Sequence, residues 1–451
     1  MIDLEFPRCF CKTKGFLFCS SANGESWSLE RMAARRRDIL GGFGLGLGLN
    51  LAASLAPGWS PAARAANATR QSGAGNTLSV GALFPATGPL AAMGDECLRG
   101  VQLATDLCNE GGGLFGRQIV LALGDASDPD RAVAEARRLI SDAQPVLMLG
   151  TGDSALSLGA SEVSEGSAIP YWELSATMPS ITARGFHYLL RVCDIETGIA
   201  ARCIEAAAGV VAPALSRPPG ALSVVLLYAD DGPGSTLVPL AMAAARRSGM
   251  APPVTIAYQP DGAVLTALAA RLAAMKPDVV IHHGSPEEVV LFFAGLATQP
   301  WRPAALIGAT AAYGSSETAA MIGPSFDGTL TVGVLPYSAD ARLAPEAPMI
   351  ALLYEQRFGA QPRSGLSLSH FAGAALCFDV LRRAGSADKD RVLAVARSLQ
   401  LDRGDLANGW GAQFGTGGQN LRAFSCLSQW QNGRAVALLP AEGAAGRYRP
   451  I

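Results

Sequence analysis

The chain has 451 residues, 49% of them hydrophobic, so sizeable cores can be buried and a disordered chain is not the default. Lys and Arg total 36 against 38 Asp and Glu, and the resulting net charge of -2 offers no basic field for a nucleic-acid backbone. Aromatic residues are only 7% while glycine reaches 51, which suits small side chains packed closely in α/β layers rather than aromatic stacking platforms.

Residues 1–65 read as an upstream extension and a signal peptide, with Met32 as the expected true start. Arg35, Arg36 and Arg37 precede Asp38-Ile39-Leu40, an apolar Gly/Leu-rich stretch and the small-x-small site Ala63-Arg64-Ala65. That stretch is about fifteen residues long, shorter than the roughly 20 that span a bilayer, so cleavage after Ala65 is expected. The paired arginines resemble a twin-arginine export signal, with the general secretory route left open. Ala66, not a cysteine, stands directly after the cleavage site, so the mature protein is expected in the periplasm without a lipid anchor.

Residues 66–77 form a Ser/Gly/Asn-rich leader, expected to be flexible. Six cysteines follow: Cys97, Cys108, Cys193, Cys203, Cys377 and Cys426. Cys97 and Cys108 share a predicted helix at a separation of about 16 Å, beyond the ~7 Å Cα limit of a disulfide. Cys193 and Cys203 are comparably spaced, and a long-range pair such as Cys97 with Cys377 stays open.

From residue 78 the chain alternates strand and helix patterns. Strands are predicted at 78–84, 119–123, 146–149 and 169–172, with helices at 95–109, 130–141 and 154–165. A second block repeats the pattern, with strands at 222–228, 254–258, 279–282 and 305–307 and helices at 235–248, 263–275 and 287–297. Helices at 348–358, 371–383 and 389–399 precede short strands at 410–414, 423–429 and 435–439, read as completing the first two units. The fold class is therefore α/β, with parallel-rich sheets covered on both faces. A strand running into a helix presents unpaired N–H groups and a positive dipole end, suited to a carboxylate. Asp153-Ser154 and Ser175-Ala176-Thr177 are two such turns, whose Ser and Thr also suit plain helix caps.

In order, the chain carries Leu83-Phe84-Pro85-Ala86-Thr87-Gly88-Pro89-Leu90, Gly94-Asp95, Asn109-Glu110-Gly111-Gly112, Asp125 to Pro129, Ser175-Ala176-Thr177-Met178-Pro179, Arg184-Gly185-Phe186 and Arg191. Together these resemble the periplasmic leucine/isoleucine/valine-binding family of ABC-transporter receptors. The resemblance implies two Rossmann-like lobes joined by a three-segment hinge, here 78–193 plus 336–403 and 194–335 plus 404–451. It implies crossings near Cys193, Leu335 and Arg403, a small-molecule ligand, permease subunits as partners, no cofactor and a monomer. It further implies that Ser154, Ser175 and Thr177 hold the ligand's carboxylate and α-amine. Thr310 stands where amino-acid-binding relatives place a carboxylate, and Met93 and Gly232 where they often carry tyrosine. Ser127 and Asp153 occupy the family's first-lobe disulfide positions, so that bond is not expected.

A buried ammonium without its partner loses roughly 2–5 kcal/mol, which points to a carboxylate or amide lacking a standard α-amine. Glu173 or Asp231 would restore the charge, leaving an ordinary amino acid open. Tyr313 is the aromatic expected to line the cleft, ahead of Trp172 and Trp301. A periplasmic sensor working through a partner protein is the second reading. A hydrolase with Ser154 as nucleophile is disfavoured, because the Asp-x-x-His partner is missing: Ser367-Leu368-Ser369 precedes His370. No metal site is expected, since His282 and His283 are neighbours on a strand and point to opposite faces.

Overall fold

The computed structural model describes residues 76–450 apart from Asp231. The expected signal region, its cleavage site and the start of the leader lie outside the described residues. The first sheet consists of β1 (Thr77–Phe84), β2 (Gln118–Asp125), β3 (Met148–Gly150), β4 (Tyr171–Glu173) and β5 (Leu189–Arg191). Its order is β2-β1-β3-β4-β5 and every pairing is parallel. The connections carry α1 (Ala91–Glu110), α2 (Pro129–Ala143), α3 (Ser154–Gly166) and the short α4 (Ser180–Ala183). The chain then leaves through α5 (Glu196–Glu205), which continues in a π-helical stretch, Ala206–Val211.

The second sheet holds β6 (Val224–Ala229), β7 (Val254–Tyr258), β8 (Val279–His283), β9 (Ala305–Gly308), β10 (Leu330–Gly333), β11 (Cys426–Gln431) and β12 (Arg434–Leu439). Its order is β12-β11-β10-β9-β8-β6-β7, antiparallel at β10–β11 and β11–β12 and parallel elsewhere. Its helices are α6 (Gly232–Arg247), α7 (Gly262–Met275), α8 (Pro286–Ala297) and α9 (Ser316–Ile322). Asp261 and Ser285 cap α7 and α8 with their side chains, and Ser285 forms a reciprocal capping box with Glu288.

The later helices α10 (Ala347–Phe358), α11 (Leu366–Ala384) and α12 (Lys389–Arg397) return to the first unit, where α11 packs along α1. A Cβ at Gly100 would lie 2.2 Å from the Ser367 carbonyl oxygen, so glycine sets how closely these two helices approach. The alternation predicted from sequence is present, except that β5 and β10, defined by their pairing with neighbouring strands and the segment near Gln419, are additional to it.

The predicted strand at 410–414 is absent as such. That stretch forms isolated bridges, Leu401 with Ala412 and Phe414 with Asn420. The segment runs along β5 instead: Arg191 donates its N–H to Gly418 at 2.8 Å, and Asn420 donates to the Arg191 carbonyl at 2.9 Å. Phe414 meets Trp172 edge-on with centroids 5.7 Å apart. Residues 412–420 thus lie against the first sheet, although the sequence reading places 404–451 with the second lobe.

The six described cysteines are free thiols, five buried and Cys108 half-buried. In the second core, His282 shares hydrogen bonds with Tyr258 Oη at 2.8 Å and Tyr313 Oη at 2.5 Å. Burial, helped by the neighbouring His283, lowers its pKa from 6.5 to about 3. The unfolded chain therefore takes up this proton first, and the contribution to stability is lost as pH falls from 6.5 towards 3. His282→Gln, which does not titrate, should be less stable at pH 7 but lose stability less steeply on acidification, by about 1.4 kcal/mol per pH unit. Urea unfolding at pH 7, 5.5 and 4.5 checks this, and parallel slopes would refute it.

Candidate functional site

In an open parallel sheet, ligands bind beyond the carboxyl ends of the strands, where successive connections leave in opposite directions. In the first sheet that point lies between β1 and β3, so the turns after them are the place to look. Gly152 follows β3 with φ +91°, a left-handed conformation that favours glycine. A Cβ there would lie 3.5 Å from Met93 Cε and Cys97 Sγ and 3.7 Å from Ser175 Oγ, so Met93, Gly152 and Ser175 converge.

Asp153 caps α3, its Oδ1 accepting the N–H groups of Ala155 at 2.9 Å and Leu156 at 3.3 Å. A protein carboxylate therefore occupies part of the helix N-terminus that the sequence offered to a ligand carboxylate. Ser154 Oγ accepts from the N–H groups of Thr177 and Met178, both at 3.2 Å, joining the two predicted turns. Ser154, Ser175, Ala176 and Thr177 are thus brought together, with Ser175 and Thr177 half-buried and Ala176 buried.

Glu173 lies beneath these turns, not among them. It is 0% exposed. Its Oε2 accepts from Thr151 N at 3.0 Å, Ser157 Oγ at 2.6 Å and Tyr171 Oη at 3.3 Å, and its Oε1 from Ser175 N at 3.0 Å and Ala176 N at 2.8 Å. Burial raises its pKa above the ordinary carboxylate value, against the opposing effect of the Ser157 hydroxyl and these N–H groups. The expectation that Glu173 would meet a ligand ammonium is corrected: both oxygens are occupied by the scaffold.

Arg191, register partner of Glu173 on β5, takes the opposite polarity of the same turn. It donates to the carbonyls of Ala176 at 3.3 Å and Met178 at 2.7 Å, to Thr182 Oγ1 at 3.1 Å and to Gln419 Oε1 at 2.5 Å. Desolvation lowers its pKa, with the nearby Cys193 and Glu173 opposing. His370 on α11 reaches the site from far along the chain, its Nε2 3.3 Å from Ser175 Oγ. In the sequence His370 is notable only for lacking the Asp-x-x-His context of a catalytic base, and no local pattern points to this contact.

In the second sheet, Thr310 follows β9 and donates to the Gly284 carbonyl at 2.8 Å, joining the turns after β8 and β9. Tyr313 does not line a cleft. It is 0% exposed, stacks on Phe326 and accepts the Trp430 indole N–H on its carbonyl at 2.7 Å. Its apolar ring completes the second core while its hydroxyl is held by His282. Trp172 is also buried, and Trp301 packs at the edge of that core. Asp231 lies outside the described residues.

The two units touch where α3 meets α6 and where Arg363 links α1 to α9. Arg363 pairs with Asp95 and, through Nη1, with Glu317 at 3.3 Å, and its carbonyl accepts Ser316 N–H at 2.8 Å. Surface hollows of about 220 and 390 Å³ lie elsewhere, one beside Trp430 and one between α2 and α3. No described helix is long and apolar enough to cross a membrane.

The chain is 31% identical over 373 residues to the Leu/Ile/Val-binding protein homolog 8 of Brucella abortus, covering 82% of this chain and 93% of that protein. A leucine-binding protein LivK from Thermotoga maritima superposes with a TM-score of 0.69 at 19% identity, over 80% of this chain and 97% of the other. A solute-binding protein from R. palustris in complex with benzoate gives 0.65 at 20% identity, over 83% and 98%.

Glu173→Gln turns an amide NH₂ towards backbone N–H groups that need an acceptor, and should destabilise the fold by about 1–3 kcal/mol. Chemical unfolding measures this, and an unchanged midpoint would remove Glu173 as the organiser of the turns. Residues 77–433 match the family described as periplasmic binding protein, and with the Brucella relative this places the chain in that family.

Proposed function

We propose that the chain is the extracytoplasmic solute-binding subunit of an ABC importer, delivering a small amino-acid-like molecule, carboxylate or amide to permease subunits without altering it. The observation that carries this reading is the convergence of Met93, Gly152 and Ser175 at the switch point of the first sheet, with Thr177 tied in through Ser154. The family and the leucine- and benzoate-binding relatives support it. The ligand sits between a lobe of residues 78–193 and 336–403, with 412–420 added, and a lobe built on the second sheet. The mature chain begins at Ala66, works as a monomer in the periplasm after twin-arginine export and has no lipid anchor.

Thr310 stands where a counter-charge would be needed and its hydroxyl bonds Gly284, while Glu173 is enclosed in scaffold. This favours ligands whose affinity does not rest on a paired α-ammonium. A thermal-shift screen of the chain from Ala66 against amino acids, aliphatic and aromatic carboxylates, amides and polyamines should show stabilisation by carboxylates or amides. A ligand at 100 times its Kd adds about 2.7 kcal/mol. A response confined to leucine or another standard amino acid would overturn the ligand class. For whichever compound binds, Thr177→Ala should lower affinity at least ~10-fold, about the loss of one charge-assisted hydrogen bond, and unchanged calorimetry would refute Thr177 as a contact.

A further inference from the structure

The Ser175 hydroxyl has a single hydrogen, and the groups beside it decide where that hydrogen goes. His370 Nδ1 lies 2.8 Å from the Leu366 carbonyl oxygen, one turn back on α11. A carbonyl only accepts, so Nδ1 carries the ring proton; the reverse tautomer would set a nitrogen lone pair against an oxygen lone pair inside the protein. Nε2 is then a lone pair, and it faces Ser175 Oγ at 3.3 Å. The second protein neighbour, the Gly152 carbonyl at 3.4 Å, is also an acceptor. Whichever of the two takes the hydrogen, Ser175 has lone pairs left to offer.

Burial lowers the His370 pKa to about 4, against the opposing pull of the Leu366 carbonyl, so the ring is neutral at neutral pH. Phe84 packs edge-on against it with centroids 5.5 Å apart, and Gly100 admits α11 close to α1. The ring is therefore fixed in place as well as in tautomer.

We propose that His370 is a positioning residue that holds Ser175 as a hydrogen-bond acceptor towards the ligand, so that the ligand group at Ser175 is an N–H or O–H donor and not a carboxylate oxygen. This rests on the solute-binding reading above and refines it. The ligand is a molecule with a donor (amide, hydroxyl or amine) set apart from any carboxylate, and the carboxylate role that the resemblance implied for Ser175 falls to other contacts.

Two measurements test the assignment. The first needs no ligand: ¹⁵N-histidine-labelled protein at pH 7, with the His370 signals assigned by their loss in His370→Phe or, if that variant does not fold, His370→Gln, should show a protonated Nδ1 and an unprotonated Nε2. An Nε2–H tautomer overturns the proposal. The second compares matched probes by calorimetry, benzamide with benzoate and leucine with 4-methylpentanoate. Ser175→Ala should weaken the donor-bearing member of a binding pair at least ~10-fold more than its donor-less partner, about one hydrogen bond. Equal losses, or a larger loss for the donor-less acid, overturn the proposal. If neither pair binds the unaltered protein, the same comparison is made with a donor-bearing compound that responds in the thermal-shift screen and its donor-less analogue, and the tautomer measurement still decides the role of His370.

Discussion

Two buried side chains of opposite charge hold the turns after β3 and β4 in shape. Glu173 and Arg191 end adjacent strands in register, and between them runs the turn from Leu174 to Met178. Glu173 accepts N–H groups from its near side and from Thr151, while Arg191 donates to the carbonyls of Ala176 and Met178. An irregular backbone segment at the end of a sheet carries polar groups that no ladder satisfies, and leaving them buried and unpaired would cost more than a typical hydrogen bond returns. One carboxylate and one guanidinium meet that need with several bonds each. Removing either leaves its partners unsatisfied together rather than singly.

Glu173 serves backbone, Asp153 caps α3 and Arg191 joins the turn to Gln419 on the returning segment. What the first unit presents is a set of hydroxyls and backbone groups fixed from behind by charges. On the proposed reading, such a surface selects by hydrogen-bond direction more than by net charge. The small side chains near it serve the same end: Gly152 lets Met93 and Ser175 approach, and Gly100 lets α11 bring His370 within reach.

Much of the architecture was legible because alternation of apolar strands with amphipathic helices is a local signal. Parallel strands buried on both faces read as Val/Leu runs, as in β6 and β8. Elements set by distant partners were not legible. β5 is three residues long and is recognisable through β4 and the segment near Gln419, and β10 is defined by the strands on either side of it. The site divided in the same way. Ser154, Ser175 and Thr177 were legible as turn residues following strands, whereas Glu173 was misplaced because a polar atom at a strand end looks alike whether it faces solvent or scaffold, and Tyr313 because the turn Ala311–Gly314 folds its ring back into the core. His370 had no signature, because its significance comes from a helix that returns to the first unit near the end of the chain.

The contacts between the two units bear on how the site would open. Arg363 sits at the start of the segment that becomes α11, with its side chain against Asp95 and its carbonyl accepting from Ser316 at the head of α9. Glu96, buried on α1, accepts from Ser367 Oγ at 2.5 Å and Tyr354 Oη at 2.7 Å, fixing this segment to the first unit. A separation of the units would therefore break the bonds from Arg363 to Ser316 and Glu317 and keep those to Asp95 and Glu96. The first set is small and partly exposed, which makes it weak by the usual measure of surface ion pairs. A two-unit binding protein needs that inequality: contacts within a unit strong enough to keep Ser175 and His370 aligned, and contacts between units weak enough that the ligand's own bonds decide whether the cleft stays shut.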